Sequence, residues 1–297
     1  MSGTRVDGGW RGLEADGPHG PVPVRVHPGA GDGWLLWVHG GGFVAGDLDM
    51  HEADGVARWL AADAGLTVVT VDHRLATRLE DSPRWPVRWP VPSDDVLAAW
   101  DLVTTRAGGA PVHLGGCSAG ANLAAGAVLR LLERGRAVPR SLVLAYPTLH
   151  VVQPPPGDDL AAALLSLPAQ DGWGPEQVRG MYANLLGPAL LETSGAGGEG
   201  AVDVPLAAVP GAARPEDVAA FPATYVLLGD VDGLRPSGED FARTLDAAGV
   251  PVRVEVEEGT VHGHLNRPEE PSCARSLQRL SRWYAEHHAE HHADPGA

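Results

Sequence analysis

The segment Gly116-Cys117-Ser118-Ala119-Gly120 sets a serine between two glycines, with an apolar run before it (Pro111–Leu114) and an Ala-rich helical pattern after it. A strand–turn–helix passage of this kind makes a tight elbow. The glycines permit the turn, and the Ser118 hydroxyl is left exposed at a helix N-terminus, where it can act as a nucleophile. In a chain with 39 glycines the pentapeptide alone is weak evidence, and its setting carries the weight. A second glycine cluster, His39-Gly40-Gly41-Gly42, follows the apolar run Trp34–Val38. Consecutive glycines leave backbone N–H groups free to converge on a developing oxyanion, and those of Gly41, Gly42 and Ala119 are the candidate donors. The cluster has neither the lysine of a P-loop nor G-x-G-x-x-G spacing, which argues against phosphate binding.

A serine nucleophile needs a base and a group to orient it, each on a loop after a later strand. Two acids, Asp230 and Asp232, follow the run Thr224–Leu228, and two histidines, His262 and His264, follow Val252–Val256. Spacing alone leaves both pairs open.

The elements that must position these groups read as strands at Pro23–Val26, Trp34–Val38, Thr67–Val71, Val112–Leu114, Ser141–Ala145, Thr224–Leu228 and Val252–Val256. A further strand near Trp10–Glu14 is expected to form a hairpin with the first. Several are apolar throughout, as strands buried on both faces should be. Helical patterns alternate with them: Glu52–Ala64, Asp94–Arg106 after a candidate N-cap at Ser93, Ala119–Arg134 ending at Gly135, Gly238–Ala248, and a last helix over Ser281–His292. The alternation predicts an α/β fold, a mostly parallel central sheet of about eight strands with helices on both faces. Residues 151–221 break the rhythm with a Pro-rich opening and a single helical stretch near Pro175–Leu186. They are expected to be a small lid or cap insertion within a single domain, 1–297.

Composition narrows the function classes. The 297 residues carry a formal charge of −16, which repels nucleic-acid backbones and anionic membrane surfaces. No run is long and apolar enough to span a bilayer, and residues 1–20 have no apolar signal-peptide core. The two cysteines, Cys117 and Cys273, are too few for a disulfide framework and suit a reducing, cytoplasmic setting. His287, His288, His291 and His292 read as a polar, fraying helix end rather than a metal site.

From about Gly33 to His264 the chain resembles the hormone-sensitive-lipase-like branch of the α/β-hydrolases. The resemblance rests on His39-Gly40-Gly41-Gly42-Phe43-Val44-Ala45-Gly46, Val71-Asp72-His73-Arg74-Leu75-Ala76, the elbow with Asn122-Leu123-Ala124, Asp232-Gly233-Leu234-Arg235 and Val261-His262-Gly263. It implies an α/β-hydrolase fold and a serine carboxyl-ester hydrolase with catalytic residues Ser118, Asp232 and His262. Its oxyanion hole would be made by Gly41, Gly42 and Ala119, and it would need no cofactor and no metal. Asp230 and His264 then fall outside the triad. The implied partner is a small to medium acyl ester, and a homodimer is compatible with it. His39, Phe43, Trp85 and Trp89 are the expected pocket residues, with Trp85 and Trp89 on an expanded loop over residues 78–92. The sequence departs from the family pattern at Cys117, where an acid is common, and at His73, where a tyrosine is usual. With so little chain ahead of the first strand, a shallow and open acyl pocket is expected. The same triad also serves lactones, thioesters and amides, and the family includes plant receptors and lyases that reuse the pocket.

Overall fold

The computed structural model describes residues 9–81, 83–168, 171–189 and 204–293, with side chains through 288. In chain order its elements are β1 (Arg11–Gly17), β2 (Gly20–His27), β3 (Trp34–Val38), α1 (Val56–Asp63), β4 (Thr67–Val71), α2 (Val91–Ala107), β5 (Val112–Cys117), α3 (Ala119–Glu133), β6 (Ser141–Ala145), α4 (Asp158–Leu164), α5 (Pro175–Leu186), β7 (Ala223–Val231), α6 (Arg235–Ala247), β8 (Val252–Val261) and α7 (Pro271–Ala293). The strands form one sheet in the order β1-β2-β4-β3-β5-β6-β7-β8. β1 and β2 make an antiparallel hairpin, β2 runs antiparallel to β4, and all later pairings are parallel.

The central strands are apolar on both faces because both faces are covered. In β3, Leu36 and Val38 point into one core while Leu35 and Trp37 point into the other. β6 repeats the alternation, with Leu142 and Leu144 on the first face and Val143 and Ala145 on the second. Val96 and Trp100 of α2, Leu123 and Val128 of α3 and Phe241 of α6 close the first face. Val56 and Leu60 of α1 with Leu277 and Tyr284 of α7 close the second. Each such fully buried aliphatic side chain contributes roughly 1.5–3 kcal/mol. The parallel strands all finish at one edge of the sheet, so the loops after β3, β5, β7 and β8 meet there.

Several expected boundaries move. β5 runs on through Gly115-Gly116-Cys117. A Cβ on Gly115 would stand 2.7 Å from the Trp37 ring and 2.8 Å from Tyr284 Oη, so the glycine is what lets these rings cross the strand. Ser93 does not cap α2, which begins two residues earlier at Val91; Ser93 is buried and its Oγ accepts from Arg130 Nη1 at 2.8 Å. The first turn of the expected 52–64 helix is a π-helical turn, His51–Gly55. α7 starts ten residues before the expected Ser281, at a proline, and carries Cys273, Leu277, Leu280 and Tyr284 as its apolar stripe.

Between β6 and β7 lie α4, α5 and a short helical turn, Pro215–Val218. Residues 169–170 and 190–203 of this stretch fall outside the described residues. α4 buries none of its side chains. By contrast, Val178, Met181, Tyr182 and Leu185 of α5, and Ala208 and Val209 after it, belong to the same core cluster as α2 and α3. Asn122 of α3 ties them down further, its Nδ2 lying 3.0–3.2 Å from Thr148 O, Tyr182 Oη and Ala208 O. Among the described residues no helix is long and apolar enough to cross a membrane.

Candidate active site

Ser118 stands at the turn from β5 into α3 with φ 51° and ψ −117°, a conformation that a side-chain-bearing residue holds only under constraint. The constraint is close packing. A Cβ on Gly120 would lie 2.3 Å from the carbonyl oxygens of both Val38 and His39, and one on Gly116 would lie 2.7 Å from Val38 O. The helix can therefore press against the end of β3 only because both flanking positions are glycine. The Ser118 N–H donates to Ala145 O at 2.8 Å, fixing the elbow to β6.

Ser118 Oγ lies 3.0 Å from His262 Nε2, and His262 Nδ1 lies 2.8 Å from Asp232 Oδ2. An ionised carboxylate only accepts, so Nδ1 carries the hydrogen and Nε2 is left as an acceptor facing the serine. Asp232 is fully buried, and its second oxygen accepts from the Leu234 N–H at 2.8 Å. The two open pairs are thus separated by geometry. Asp230 is turned to Arg235 Nη1 and to the Gly259 N–H. His264 is buried with Nε2 3.0 Å from Ser276 Oγ, and burial lowers its pKa to about 4.

The loop after β3 is shaped by its glycines. Gly41 and Gly42 both have positive φ, and a Cβ on Gly41 would sit 2.0 Å from Ala45 O. The Gly40 N–H donates to Glu52 Oε1 at 2.9 Å, whereas the N–H groups of Gly41, Gly42 and Ala119 have no acceptor among the described residues. Ala119 follows Ser118 directly, and Gly40, next to Gly41, approaches the elbow closely enough that a Cβ on it would lie 3.1 Å from Ser118 Cβ.

The four expected pocket residues take different places. His39 is buried beneath the loop, its Nδ1 2.8 Å from Gly40 O and its ring stacked on His73 at 4.4 Å. Burial, with His39 close by, lowers the His73 pKa to about 3. Phe43 is in the core against Tyr182. Trp85 is 81% exposed beside Arg84, and Trp89 packs half-buried against the core with Arg130 over its ring. Cys117 is fully buried; burial and the nearby Glu52 carboxylate raise its thiol pKa far above the usual range. It is kept as a neutral thiol, not a competing nucleophile.

The residue that sequence reasoning missed is Trp173, in the loop before α5. Its indole lies edge-on to the His262 ring, centroids 5.1 Å apart, and its Cη2 would be 3.9 Å from a Cβ on Gly42. Met181 of α5 stands beside the same glycine, with Sδ 3.4 Å from that Cβ position. Gly233 makes the approach possible, since a Cβ there would meet Trp173 O at 2.3 Å. A lone tryptophan among glycines gave no periodic signal. Among the described residues no group of three or more His, Cys, Asp or Glu side chains is placed to hold a metal ion.

An eight-stranded sheet with a serine elbow at the end of a central strand, and a buried acid and histidine on the following loops, defines an α/β-hydrolase. Residues 35–266 match the family described as the alpha/beta hydrolase fold, and the chain belongs to that family, in its hormone-sensitive-lipase-like branch. It is 31% identical over 269 residues to Esterase LipI of Mycobacterium tuberculosis (strain ATCC 25618 / H37Rv), covering 85% of this chain and 74% of the relative. It is 30% identical over 258 residues to an ethyl acetate hydrolase of Pseudomonas putida, covering 82% and 71%. Among solved structures it is similar to carboxyl esterase 2 of the mycorrhizal fungus Tuber melanosporum. That match has a TM-score of 0.75 and 26% identity, covering 94% of this chain and 88% of the other.

Proposed function

We propose that this serine hydrolase of the carboxylesterase type cleaves small to medium acyl esters through an acyl-enzyme on Ser118. The observation that carries the reading is the continuous chain Ser118–His262–Asp232, with contacts of 3.0 and 2.8 Å. His262 Nε2 takes the Ser118 proton as Oγ attacks the ester carbonyl carbon. Asp232 holds the imidazole tautomer and stabilises the cation that forms. The carbonyl oxygen becomes an oxyanion, stabilised by the N–H groups of Gly41, Gly42 and Ala119. Its collapse breaks the C–O bond, and His262 returns the proton to the leaving alcohol. Water then adds to the acyl-enzyme with His262 again as base, releasing the carboxylic acid and free Ser118.

The size of the acyl group is argued from the wall over the oxyanion loop. Trp173 and Met181, both from the 151–221 insertion, stand against Gly42, so the insertion serves as a cap that limits what fits beside Ser118. A relative named for ethyl acetate hydrolysis is consistent with short acyl groups. The buried free thiols of Cys117 and Cys273 suit work in a reducing cytoplasm. The test is hydrolysis of p-nitrophenyl acetate, butyrate, octanoate and palmitate by wild type and Ser118→Ala in parallel. Turnover that favours the short esters and collapses in the variant is expected. Activity surviving in Ser118→Ala would overturn the mechanism, and a preference for palmitate would overturn the size argument.

A further inference from the structure

Glu52 is a carboxylate buried to 2% exposure that no step of the mechanism uses, and among the described residues it has no ion-pair partner. Such a burial is unfavourable unless both oxygens are hydrogen-bonded, and here they are. Oε1 accepts from the Gly40 N–H and Oε2 accepts from the Tyr146 O–H, each at 2.9 Å. Gly40 is the hinge of the oxyanion loop, pressed between this carboxylate and the elbow. A Cβ on Gly40 would meet Glu52 Oε1 at 2.6 Å, Cys117 O at 3.0 Å and Ser118 Cβ at 3.1 Å. Tyr146, with φ 35°, is the first residue after β6, and its ring stands edge-on to His262 at a centroid distance of 5.1 Å.

The backbone around Glu52 reaches a third loop. Its N–H donates to Asn266 Oδ1 at 2.9 Å, and His51 Nδ1 lies 2.6 Å from Leu265 O, both just beyond His262. Its carbonyl accepts from Trp37 Nε1 at 2.7 Å, which fixes the turn to β3. One residue therefore spans the loop that supplies the oxyanion donors, the residue that abuts the imidazole, and the loop that carries the imidazole.

We propose that Glu52 is a positioning residue: through Gly40, its carboxylate sets the register between the Gly41 and Gly42 donors and the Ser118–His262 pair. This rests on the serine-hydrolase reading above. The role is geometric, since a neutral amide of the same length can accept from Gly40 through its oxygen and donate to Tyr146 through its nitrogen. Small displacements of donors and nucleophile are costly to the chemical step, and ester binding in the ground state is affected far less.

The experiment compares wild type with Glu52→Ala, Glu52→Gln and Tyr146→Phe, with circular dichroism confirming the fold of each. Three quantities are read: kcat and KM on p-nitrophenyl acetate, the inhibition constant of phenylboronic acid, and the rate at which a fluorophosphonate probe labels Ser118. Glu52→Ala is expected to lose tenfold or more in kcat and in labelling rate, to bind the boronate correspondingly more weakly, and to keep KM within about threefold. Glu52→Gln is expected to recover most of that loss. Tyr146→Phe, which removes one oxygen and frees the carboxylate to swing, is expected to show the same signature at three- to tenfold. It decides the matter alone if Glu52→Ala does not fold. Folded variants with wild-type kcat, boronate affinity and labelling rate would overturn the proposal, as would a Glu52→Gln variant no better than Glu52→Ala. Labelling needs no ester, so the role of Glu52 is decided even if the natural substrate is of another kind, whereas loss of ester turnover in wild type alone would count against the ester reading.

Discussion

Trp173 and His262 lie edge-on with their ring centroids 5.1 Å apart, so a residue from the segment between β6 and β7 forms a wall of the site against the proposed base. In the proposed mechanism this contact ties acyl selection to the side chain that moves the proton. Trp173→Ala is expected to widen the site. Octanoate should be hydrolysed severalfold faster relative to acetate than in wild type, and kcat on acetate should fall as the imidazole loses its backing. An acyl-length profile identical to that of wild type would show that the tryptophan does not border the acyl group.

Asp232 and Asp230 make a paired test two residues apart. Asp232→Asn leaves the packing nearly unchanged but offers Nδ1 a donor where it needs an acceptor, favouring the wrong tautomer. A loss in kcat on the order of a thousandfold or more is expected. Asp230→Asn alters bonds to Arg235 and the Gly259 N–H and is expected to keep kcat within about threefold. Equal losses in the two variants would remove the basis for separating them.

Gly120 is where the elbow is least tolerant. Gly120→Ala would put a methyl 2.3 Å from two backbone carbonyl oxygens, neither of which can rotate away. A destabilisation of about 3 kcal/mol or more is expected, with failure of fluorophosphonate labelling. Thermal unfolding followed beside labelling checks both, and a variant with wild-type melting temperature would contradict the packing described.

Acid sensitivity follows from the buried histidines. Burial lowers the pKa of His27 and His264 to about 4 and of His73 and His113 to about 3, against an ordinary value near 6.5. Below pH 6.5 the unfolded chain takes up protons that the folded chain refuses, so stability is full above 6.5 and is lost progressively as pH falls toward 4 and 3. Each histidine contributes at most about 1.4 kcal/mol per pH unit across that window. The carboxyls of Asp72 and Asp95, raised by burial, act in the opposite sense but are fewer. The melting temperature is expected to drop steeply between pH 6.5 and 4.5. A flat profile over that range would mean that these rings are hydrated in solution.

The ion pair between Arg267 and Asp171, 2.7 Å long and partly exposed, joins the loop after β8 to the loop that carries Trp173. Removing it with Asp171→Ala is expected to cost at most about 1 kcal/mol in stability. KM for short esters should nevertheless rise about twofold, and the wild-type dependence of KM on salt should weaken. A KM insensitive to both substitution and salt would detach the pair from the site.

Strands β3, β4 and β6 were legible to the residue because each is an apolar run with a glycine, proline or polar break at its ends. The tight turn at Ser118 and the left-handed backbone at Gly41 and Gly42 were legible because close backbone approach demands glycine, which a sequence displays directly. The choice of Asp232 over Asp230 was not readable from spacing; it depends on which carboxylate the turn after β7 aims inward, and only the family likeness anticipated it. The places of Trp85 and Trp89 were not legible, because an indole is equally at home on a surface loop or against a core. Trp173 and Glu52 were unreadable for a different reason. The contacts of Trp173 with His262 and of Glu52 with Tyr146 cross about ninety residues of chain, and no local pattern encodes such partners.

The α5 side chains Val178, Tyr182 and Leu185 belong to the same packed interior as α2 and α3, while α4 contributes nothing to it. The proposed cap is thus half fixture and half attachment. Grafting a foreign segment in place of α4 should leave a foldable enzyme with an altered entrance. A graft that carried α5 away with it would open a hole in that interior, so the outer half alone is the part expected to be exchangeable.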